Sequence, residues 1–362
     1  MEVRTKEDIL RSLEKNGQLE ALPFMPQMFQ YCGQRFRIFK RAHKTCDTVN
    51  QTGGRRLPHT VHLELRCDGE AYGGCQAGCL IFWKETWLKP VGKTTQLFAS
   101  NPIGSAQPVR DAMCTEADIW AGTRSTRKHD DGEPRYICQA TQLPEFTTPL
   151  SWWNIAQYIE DYTSRNITLG RMFRGLIYAC YYNLIQSGIG VGRLLRWFYD
   201  KFQTLRGGIP FPRRGGKIPD GKRTPTCTLN LQPGEMVRVK SYKEILATLN
   251  VHHKNRGLYF DAEHVPYCGG TYRVRTRVNK YIDEKTGKLT TFQNESVILE
   301  GVWCQARYSN CRMFCPRSIY PWWREIWLER VTQGAHSTTK PEADTLSSKL
   351  GGDVSTGCVK SP

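Results

Sequence analysis

The sequence lacks the short signatures by which most enzyme families are recognised. It contains no GxSxG, HExxH or Walker A motif, and no GxGxxG following a predicted strand. Its cysteines form neither paired CxxC knuckles nor the ferredoxin run of ligands. No particular reaction therefore follows from a local motif.

Acidic residues are fewer than basic ones, and the first residues form no apolar leader segment. The chain has 34 Asp and Glu against 51 Lys and Arg, a net charge of +17. Such an excess favours an anionic partner such as nucleic acid, another polyanion or a membrane surface. The alternative is that the charge serves solubility alone. Because residues 1–4 begin no apolar signal segment, we expect a cytoplasmic protein whose thiols are reduced or bound to metal.

The chain's strongest feature is an internal repeat. Tyr31-Cys32-Gly33 returns as Tyr267-Cys268-Gly269, 236 residues later, and the same spacing relates Val61–Glu64 to Val297–Glu300. We call residues 1–91 the first repeat and residues 233–331 the second repeat. Repetition of this length predicts one supersecondary unit used twice, hence an internal duplication.

Each repeat has the pattern of a short strand, a short helix and further strands. Thr5 is placed to cap the first helix, and Ser241 with Glu244 to cap its counterpart. Alternation over 35–38 predicts a strand, matched by 272–275 in the second repeat. Hairpin turns are predicted at 53–54 and 285–288. The chain is thus predicted to be α+β, with two small β-rich modules separated by a helical region.

The second repeat opens with Pro233-Gly234-Glu235-Met236-Val237-Arg238-Val239-Lys240. This stretch resembles the opening strand of SH3-like barrels of the KOW or nitrile-hydratase β-subunit kind. The resemblance implies a small twisted barrel and transfers no functional residue. Together with the periodicity it predicts SH3-like modules.

The predicted organisation has six segments. They are a Cys-rich β module at 1–91, an irregular connection at 92–149, a helical region at 150–205, a Pro/Gly/basic linker at 206–232, a second Cys-rich β module at 233–331, and a disordered tail at 332–362. Residues 175–192 carry no charge and nearly reach the length of a membrane span, but glycines interrupt them. We therefore favour a buried helix or an interfacial helical pair, with 169–205 contacting a membrane surface or a partner protein.

Four cysteines stay in near register in each repeat, which predicts up to two metal sites. Thiolates this concentrated repel one another unless a cation holds them, and four of them complete a zinc site or hold an iron–sulfur cluster. Zinc is favoured slightly, because small modules need stapling. Buried apolar thiols, or redox and disulfide use, are the alternatives. The predicted ligands are Cys32, Cys67, Cys75 and Cys79, then Cys268, Cys304, Cys311 and Cys315.

Two further sets of residues are candidate sites. Cys46 has no counterpart in the second repeat and is a candidate nucleophile, with His43 and Asp47 placed to tune its thiolate. Cations that alternate with aromatic rings can follow a phosphate backbone and stack bases, and the alternative is a strand face in water. The predicted anion-binding residues are Arg35, Arg37, Lys40, Arg41, Arg273, Arg275 and Arg277.

These patterns support two functional hypotheses. The first is a metal-binding accessory protein, using zinc or an iron–sulfur cluster, with basic surfaces for nucleic acid or another anionic partner. The second is an iron–sulfur enzyme or electron-transfer protein in a biosynthetic pathway. The sequence leaves open whether the protein is an enzyme.

Overall fold

The computed structural model describes residues 1–91, 113–127, 130–188, 190–309 and 311–331. The predicted tail with Cys358, and much of the predicted connection, lie outside the described residues. The described part mixes helices with several small antiparallel sheets, in agreement with the predicted α+β class. It divides into two units. Unit 1 comprises Met1–Phe173, Lys280–Thr291 and Cys311–Ile319, and unit 2 comprises Arg174–Asn279, Phe292–Asn310 and the chain from Tyr320 onward.

The elements are numbered in chain order. The α-helices are α1 (Lys6–Ser12), α2 (Glu116–Ala121), α3 (Ala156–Thr163), α4 (Leu169–Gln186), α5 (Gly192–Arg206) and α6 (Tyr242–Thr248). The strands are β1 (Glu2–Val3), β2 (Gln18–Leu19), β3 (Leu22–Pro23), β4 (Lys40–Arg41), β5 (Lys44–Cys46), β6 (Gly54–Arg56), β7 (Thr60–His62), β8 (Trp83–Lys84), β9 (Leu88–Lys89), β10 (Thr148–Leu150), β11 (Met236–Val239), β12 (Lys254–Asn255), β13 (Leu258–Tyr259), β14 (Thr271–Arg277), β15 (Lys280–Ile282), β16 (Leu289–Thr291), β17 (Ser296–Leu299), β18 (Trp323–Arg324) and β19 (Leu328–Arg330). Short 3₁₀ helices lie at Pro26–Tyr31, Glu70–Tyr72, Glu85–Trp87, Ala262–Tyr267 and Glu325–Trp327.

Unit 1 is built from two- and three-stranded antiparallel sheets around an aromatic core. The sheets are β1-β9, β2-β3, β4-β7-β8, β10-β6-β5 and β15-β16. Trp83 and Trp87 are fully buried, and the ring of Phe24 meets Trp87 edge to face at 5.2 Å. Helix α1 adds the buried Ile9. This core supports the loops that carry the candidate site.

A hairpin from the second repeat belongs to unit 1. Strands β15 and β16 are joined by a turn in which Gly287 has φ +71°, a conformation that favours glycine. Tyr136 N–H donates to the Gly287 carbonyl at 2.8 Å, and the backbones of Arg135 and Lys288 form an isolated antiparallel β-bridge. Residues 135–136 therefore hold this hairpin in place.

Unit 2 contains a five-stranded antiparallel sheet in the order β18-β17-β14-β11-β19. Its core includes the fully buried Trp323 and Trp327, and Phe260 meets Trp327 at 5.1 Å. Helix α6 begins with a capping box: Ser241 N–H donates to Glu244 Oε2 at 2.8 Å, and Glu244 N–H donates to Ser241 Oγ at 3.4 Å.

In unit 2, helix α5 and the part of α4 from Arg174 onward form a pair around a cluster of tyrosines. Tyr181 donates its hydroxyl to the Leu195 carbonyl, and Tyr178 packs edge to face on Tyr308 at 4.9 Å. Between the helices, Gly188 takes φ +76°. This confirms the predicted interruption of the uncharged stretch by glycine. In the part of the chain that the structure describes, no helix is long and apolar enough to cross a membrane.

Several local predictions can be compared directly with these elements. The caps at Thr5 and Ser241 and the hairpin turns are confirmed. The strand predicted over 35–38 is wrong, because only Arg35 makes an isolated bridge, to Glu2. Phe36 N–H instead donates a hydrogen bond to the Met1 carbonyl at 2.9 Å. Its counterpart, 272–275, does lie in strand β14.

Candidate functional site

Unit 1 contains a cavity of about 40 Å³ lined by four cysteines. They are Cys67, Cys75, Cys79 and Cys138, and the wall is completed by the rings of Tyr72 and Phe82 and by Ile282, Glu284 and Arg317, among others. A space of this volume exceeds what one water molecule needs. We call it the thiol cavity.

The chain positions three of these cysteines by one tight loop. Cys67 N–H donates to the Cys79 carbonyl at 2.9 Å, so the two ends of the loop lie side by side. Gly69 has φ +78°, and a Cβ there would lie 1.9 Å from the Cys75 carbonyl oxygen. Only glycine fits this approach. This glycine was not identified from the sequence.

Amide and side-chain donors surround the sulfur atoms. Gln27 Nε2 donates to Cys67 Sγ at 3.1 Å, and Ile282 N–H donates to Cys75 Sγ at 3.4 Å. The backbones of Ala140 and Thr141 hydrogen bond to the Cys138 thiol. Hydrogen bonds to sulfur are a feature of protein sites that hold zinc or iron–sulfur clusters.

Burial makes the thiols of the cavity poor acids. It raises the pKa of Cys79 to about 12 and that of Cys138 to about 11. Burial likewise raises the pKa of Cys67 and Cys75. The four side chains are therefore protonated at neutral pH in the absence of a bound cation.

Cys138 occupies the place in the cavity that the sequence assigned to Cys32. Cys32 follows the 3₁₀ helix Pro26–Tyr31, where its N–H donates to Phe29 O at 3.1 Å, and the charges that act on it are those of Lys6 and Glu7. It does not line the thiol cavity. Cys138 is not spaced from the other cysteines as the ligands of a metal motif are, so the sequence contained no sign that it lines this cavity.

The predicted ligands of the second repeat are divided between the units. Cys268 and Cys304 belong to unit 2, whereas Cys311 and Cys315 belong to unit 1. Among all described residues, no group of three or more His, Cys, Asp and Glu side chains is arranged to hold a metal ion. As they stand, the four sulfurs of the thiol cavity do not converge on one point.

Cys46 and Cys315 form a second, buried thiol pair in unit 1. Cys46 N–H donates to Cys315 Sγ at 3.1 Å. A hydrogen bond between the two thiols, together with burial, holds the pKa of Cys46 well above its ordinary value. The residues expected to tune Cys46 have other neighbours: Asp47 accepts the N–H groups of Val49 and Asn50, and His43 Nε2 lies 3.2 Å from Asp161 Oδ1.

This burial predicts the order in which thiols react. In native protein, iodoacetamide should modify the exposed Cys180 and Cys311 well before Cys46, because Cys46 is buried and protonated. Peptide mass spectrometry over a time course measures the order. In urea the rates should converge. Equal rates for Cys46 and Cys311 in native protein would contradict the arrangement described.

Arg317 and Glu284 form an ion pair in the wall of the thiol cavity. Arg317 is 2% exposed; its Nη1 donates to Thr48 Oγ1 at 2.6 Å and its Nη2 lies 3.1 Å from Glu284 Oε1. Thr48 also donates its hydroxyl to Glu284. Arg317 and Glu284 both line the thiol cavity, so one of its walls carries a fixed, paired charge.

Most of the predicted anion-binding residues have protein partners. Arg35 pairs with Glu2, Arg41 with Glu85 and Glu160, Arg273 with Glu300, and Arg277 with Glu295. Lys40 donates to Ser318, Arg275 lies over the ring of Tyr320, and Arg37 is exposed. Binding of nucleic acid or another polyanion at these positions stays a prediction.

Comparison with known proteins identifies no relative of this chain. No protein-family model, curated protein or solved structure matches the chain. A functional proposal therefore depends on the thiol cavity itself.

Proposed function

We propose that the protein is a metal-binding protein whose thiol cavity holds a zinc ion or an iron–sulfur cluster. The observation that carries the proposal is that four cysteines from two distant parts of the chain line one cavity. Four thiolates complete a closed tetrahedral zinc site, and the same number holds a [2Fe–2S] or [4Fe–4S] cluster. The proposed ligands are Cys67, Cys75, Cys79 and Cys138.

The neighbourhood of the sulfurs supports the proposal. Donors from Gln27, Ile282 and the segment after Cys138 already point at sulfur atoms, which would stabilise metal-bound thiolates. The rings of Tyr72 and Phe82 cover the site from the core. The simpler alternative, four apolar buried thiols, accounts for the burial but not for the donors aimed at sulfur.

The two metals imply different functions. Zinc would make the cavity a structural staple of an accessory protein, whereas a cluster would support an enzyme or an electron-transfer protein. Protein purified without oxygen distinguishes them, since a cluster gives a brown colour and absorbs in the visible range. We expect about one zinc ion or one cluster per chain, because the thiol cavity brings together one set of four cysteines.

Substitutions test the ligand set. Cys67→Ser and Cys138→Ser should each abolish stoichiometric metal, measured by elemental analysis, whereas Cys32→Ser should retain it. Cys32 is a matched control because it is a partly buried cysteine of the same unit outside the cavity. Full metal content in Cys138→Ser would show that the ligand set is wrong. Wild-type protein that binds neither zinc nor reconstituted iron and sulfide would overturn the proposal.

We also propose that the chain arose by internal duplication of an SH3-like module. The matching elements support it: α1 begins at Lys6 and α6 at Tyr242, and the 3₁₀ helices at Pro26–Tyr31 and Ala262–Tyr267 keep the same spacing of 236 residues. In each repeat a 3₁₀ helix precedes the last strand, and that strand pairs with the first, β9 with β1 and β19 with β11. Such pairing is what closure of a small barrel requires.

A further inference from the structure

Large apolar side chains at the surface are concentrated in the helical region. Of the 21 exposed large hydrophobic residues among those described, 15 lie between Trp152 and Leu205. Helix α5 has no fully buried residue. Its exposed apolar side chains are Leu194, Trp197, Phe198, Phe202 and Leu205. Soluble proteins rarely expose so many large apolar groups together unless the surface binds something.

The same surface of α5 carries only positive charge. Arg193, Lys201 and Arg206 are exposed near the apolar residues, whereas the Arg196 guanidinium lies over the ring of the buried Phe211. Asp200, the helix's one carboxylate, is turned to Arg214, with which it forms an ion pair. The exposed surface therefore combines aromatic and aliphatic groups with three cations and no free carboxylate. We call it the α5 face.

The cations lie along the apolar groups and do not point away from them. Lys201 Nζ lies 5.9 Å from the centre of the Trp197 ring, and the Arg206 guanidinium lies 5.1 Å from that of Phe202. Long basic side chains take this arrangement when their stems cover apolar surface and their charges reach an interface. A short amphipathic helix with Trp, Phe and Leu among Lys and Arg matches the composition of helices that lie in a bilayer interface.

We propose that the α5 face binds the surface of a membrane rich in anionic lipid. The aromatic and leucine side chains would enter the boundary between headgroups and acyl chains, and Arg193, Lys201 and Arg206 would pair with lipid phosphates. Charge complementarity selects this occupant over a second copy of the chain, whose α5 face would bring like charges together. The exposed leucines select it over nucleic acid, since aliphatic side chains do not stack on bases.

Vesicle flotation with the full chain tests the proposal. The protein should float with vesicles of phosphatidylcholine mixed with phosphatidylglycerol, should bind phosphatidylcholine alone weakly, and should be released by salt. Lys201→Gln with Arg206→Gln should weaken binding about 25-fold, at about fivefold for each cation removed. The matched control, Lys222→Gln with Lys243→Gln, removes two exposed charges of unit 2 outside α5 and should bind like the wild type.

Substitution of the exposed aromatic residues distinguishes insertion into the membrane interface from simple attraction between charges. Trp197→Ala with Phe202→Ala should also reduce flotation, although it leaves every charge in place, and circular dichroism should show an unchanged fold because both residues are exposed. Equal losses in the α5 variant and the charge control would overturn the proposal. So would an absence of binding to anionic vesicles at low salt. A dimer in sedimentation that Phe198→Asp converts to a monomer, without vesicle binding, would assign the α5 face to a second copy.

Discussion

Asp161→Asn is expected to lower the free energy of unfolding of unit 1 by about 3 to 5 kcal/mol, the cost of leaving a buried charge without its partner. Asp161 is fully buried and its Oδ2 lies 2.5 Å from Lys44 Nζ. Gln157 and the ring of Tyr158 also contact the ammonium, but neither carries a charge that would replace the carboxylate. His43 Nε2 lies 3.2 Å from Asp161 Oδ1 without hydrogen-bond geometry.

The loss of folding stability in Asp161→Asn should become smaller as the pH rises. Burial lowers the pKa of Lys44, and Asp161 partly opposes that shift. In Asp161→Asn the pKa of Lys44 falls further, so the folded protein binds a proton at Lys44 less tightly than the unfolded chain does. Folding stability then rises with pH between the folded and unfolded pKa values. The variant should therefore approach the wild type as pH increases above neutrality.

Hydrogen exchange provides the measurement because it reports local stability within a chain of two units. Peptides that cover 40–62 should lose protection in Asp161→Asn, while peptides of β14 and β17 in unit 2 act as an internal reference. Glu14→Gln, which removes an exposed carboxylate of unit 1, should change protection little. Protection at 40–62 that matches the wild type at neutral pH would contradict the buried pair.

Glu284→Gln is expected to destabilise unit 1 by about 3 kcal/mol, the lower end of the range for broken buried pairs because this carboxylate is partly exposed. The substitution leaves the Arg317 guanidinium buried against Thr48 without a counter-charge. Arg317→Met removes that charge as well. The double variant Glu284→Gln with Arg317→Met should therefore cost less than the sum of the two single variants. Urea unfolding monitored at peptides 280–291 measures the cycle, and strictly additive costs would show that the pair is not coupled.

The parts of the fold that sequence reasoning predicted are those encoded locally. The Thr5 and Ser241 caps depend on residues within one turn, and the turn at 285–288 depends on the φ that glycine permits. The grouping of Cys67, Cys75 and Cys79 is local as well, since one short loop brings them together. Such features require no knowledge of tertiary contacts.

The parts that could not be predicted depend on long-range packing. Cys138 reaches the thiol cavity through contacts of 135–141 with the core and with the β15–β16 hairpin, and no spacing rule encodes these. The buried partner of Lys44 comes from α3, more than one hundred positions later in the chain. Separation of Cys311 and Cys315 from Cys268 likewise follows from how the second repeat divides between the units.

The placement of the β15–β16 hairpin in unit 1 has a consequence for synthesis of the protein on the ribosome. The fourth cysteine of the cavity, Cys138, and its wall residue Arg317 are 179 residues apart. Translation at roughly 5 to 20 residues per second separates their appearance by roughly 10 to 40 s. Until the end of that interval the nascent chain has all four thiols but an incomplete wall, because Ile282 and Glu284 are made late in it and Arg317 is made last. The proposed loading of metal would therefore compete with oxidation of these thiols in the nascent chain before the last part of the wall is made.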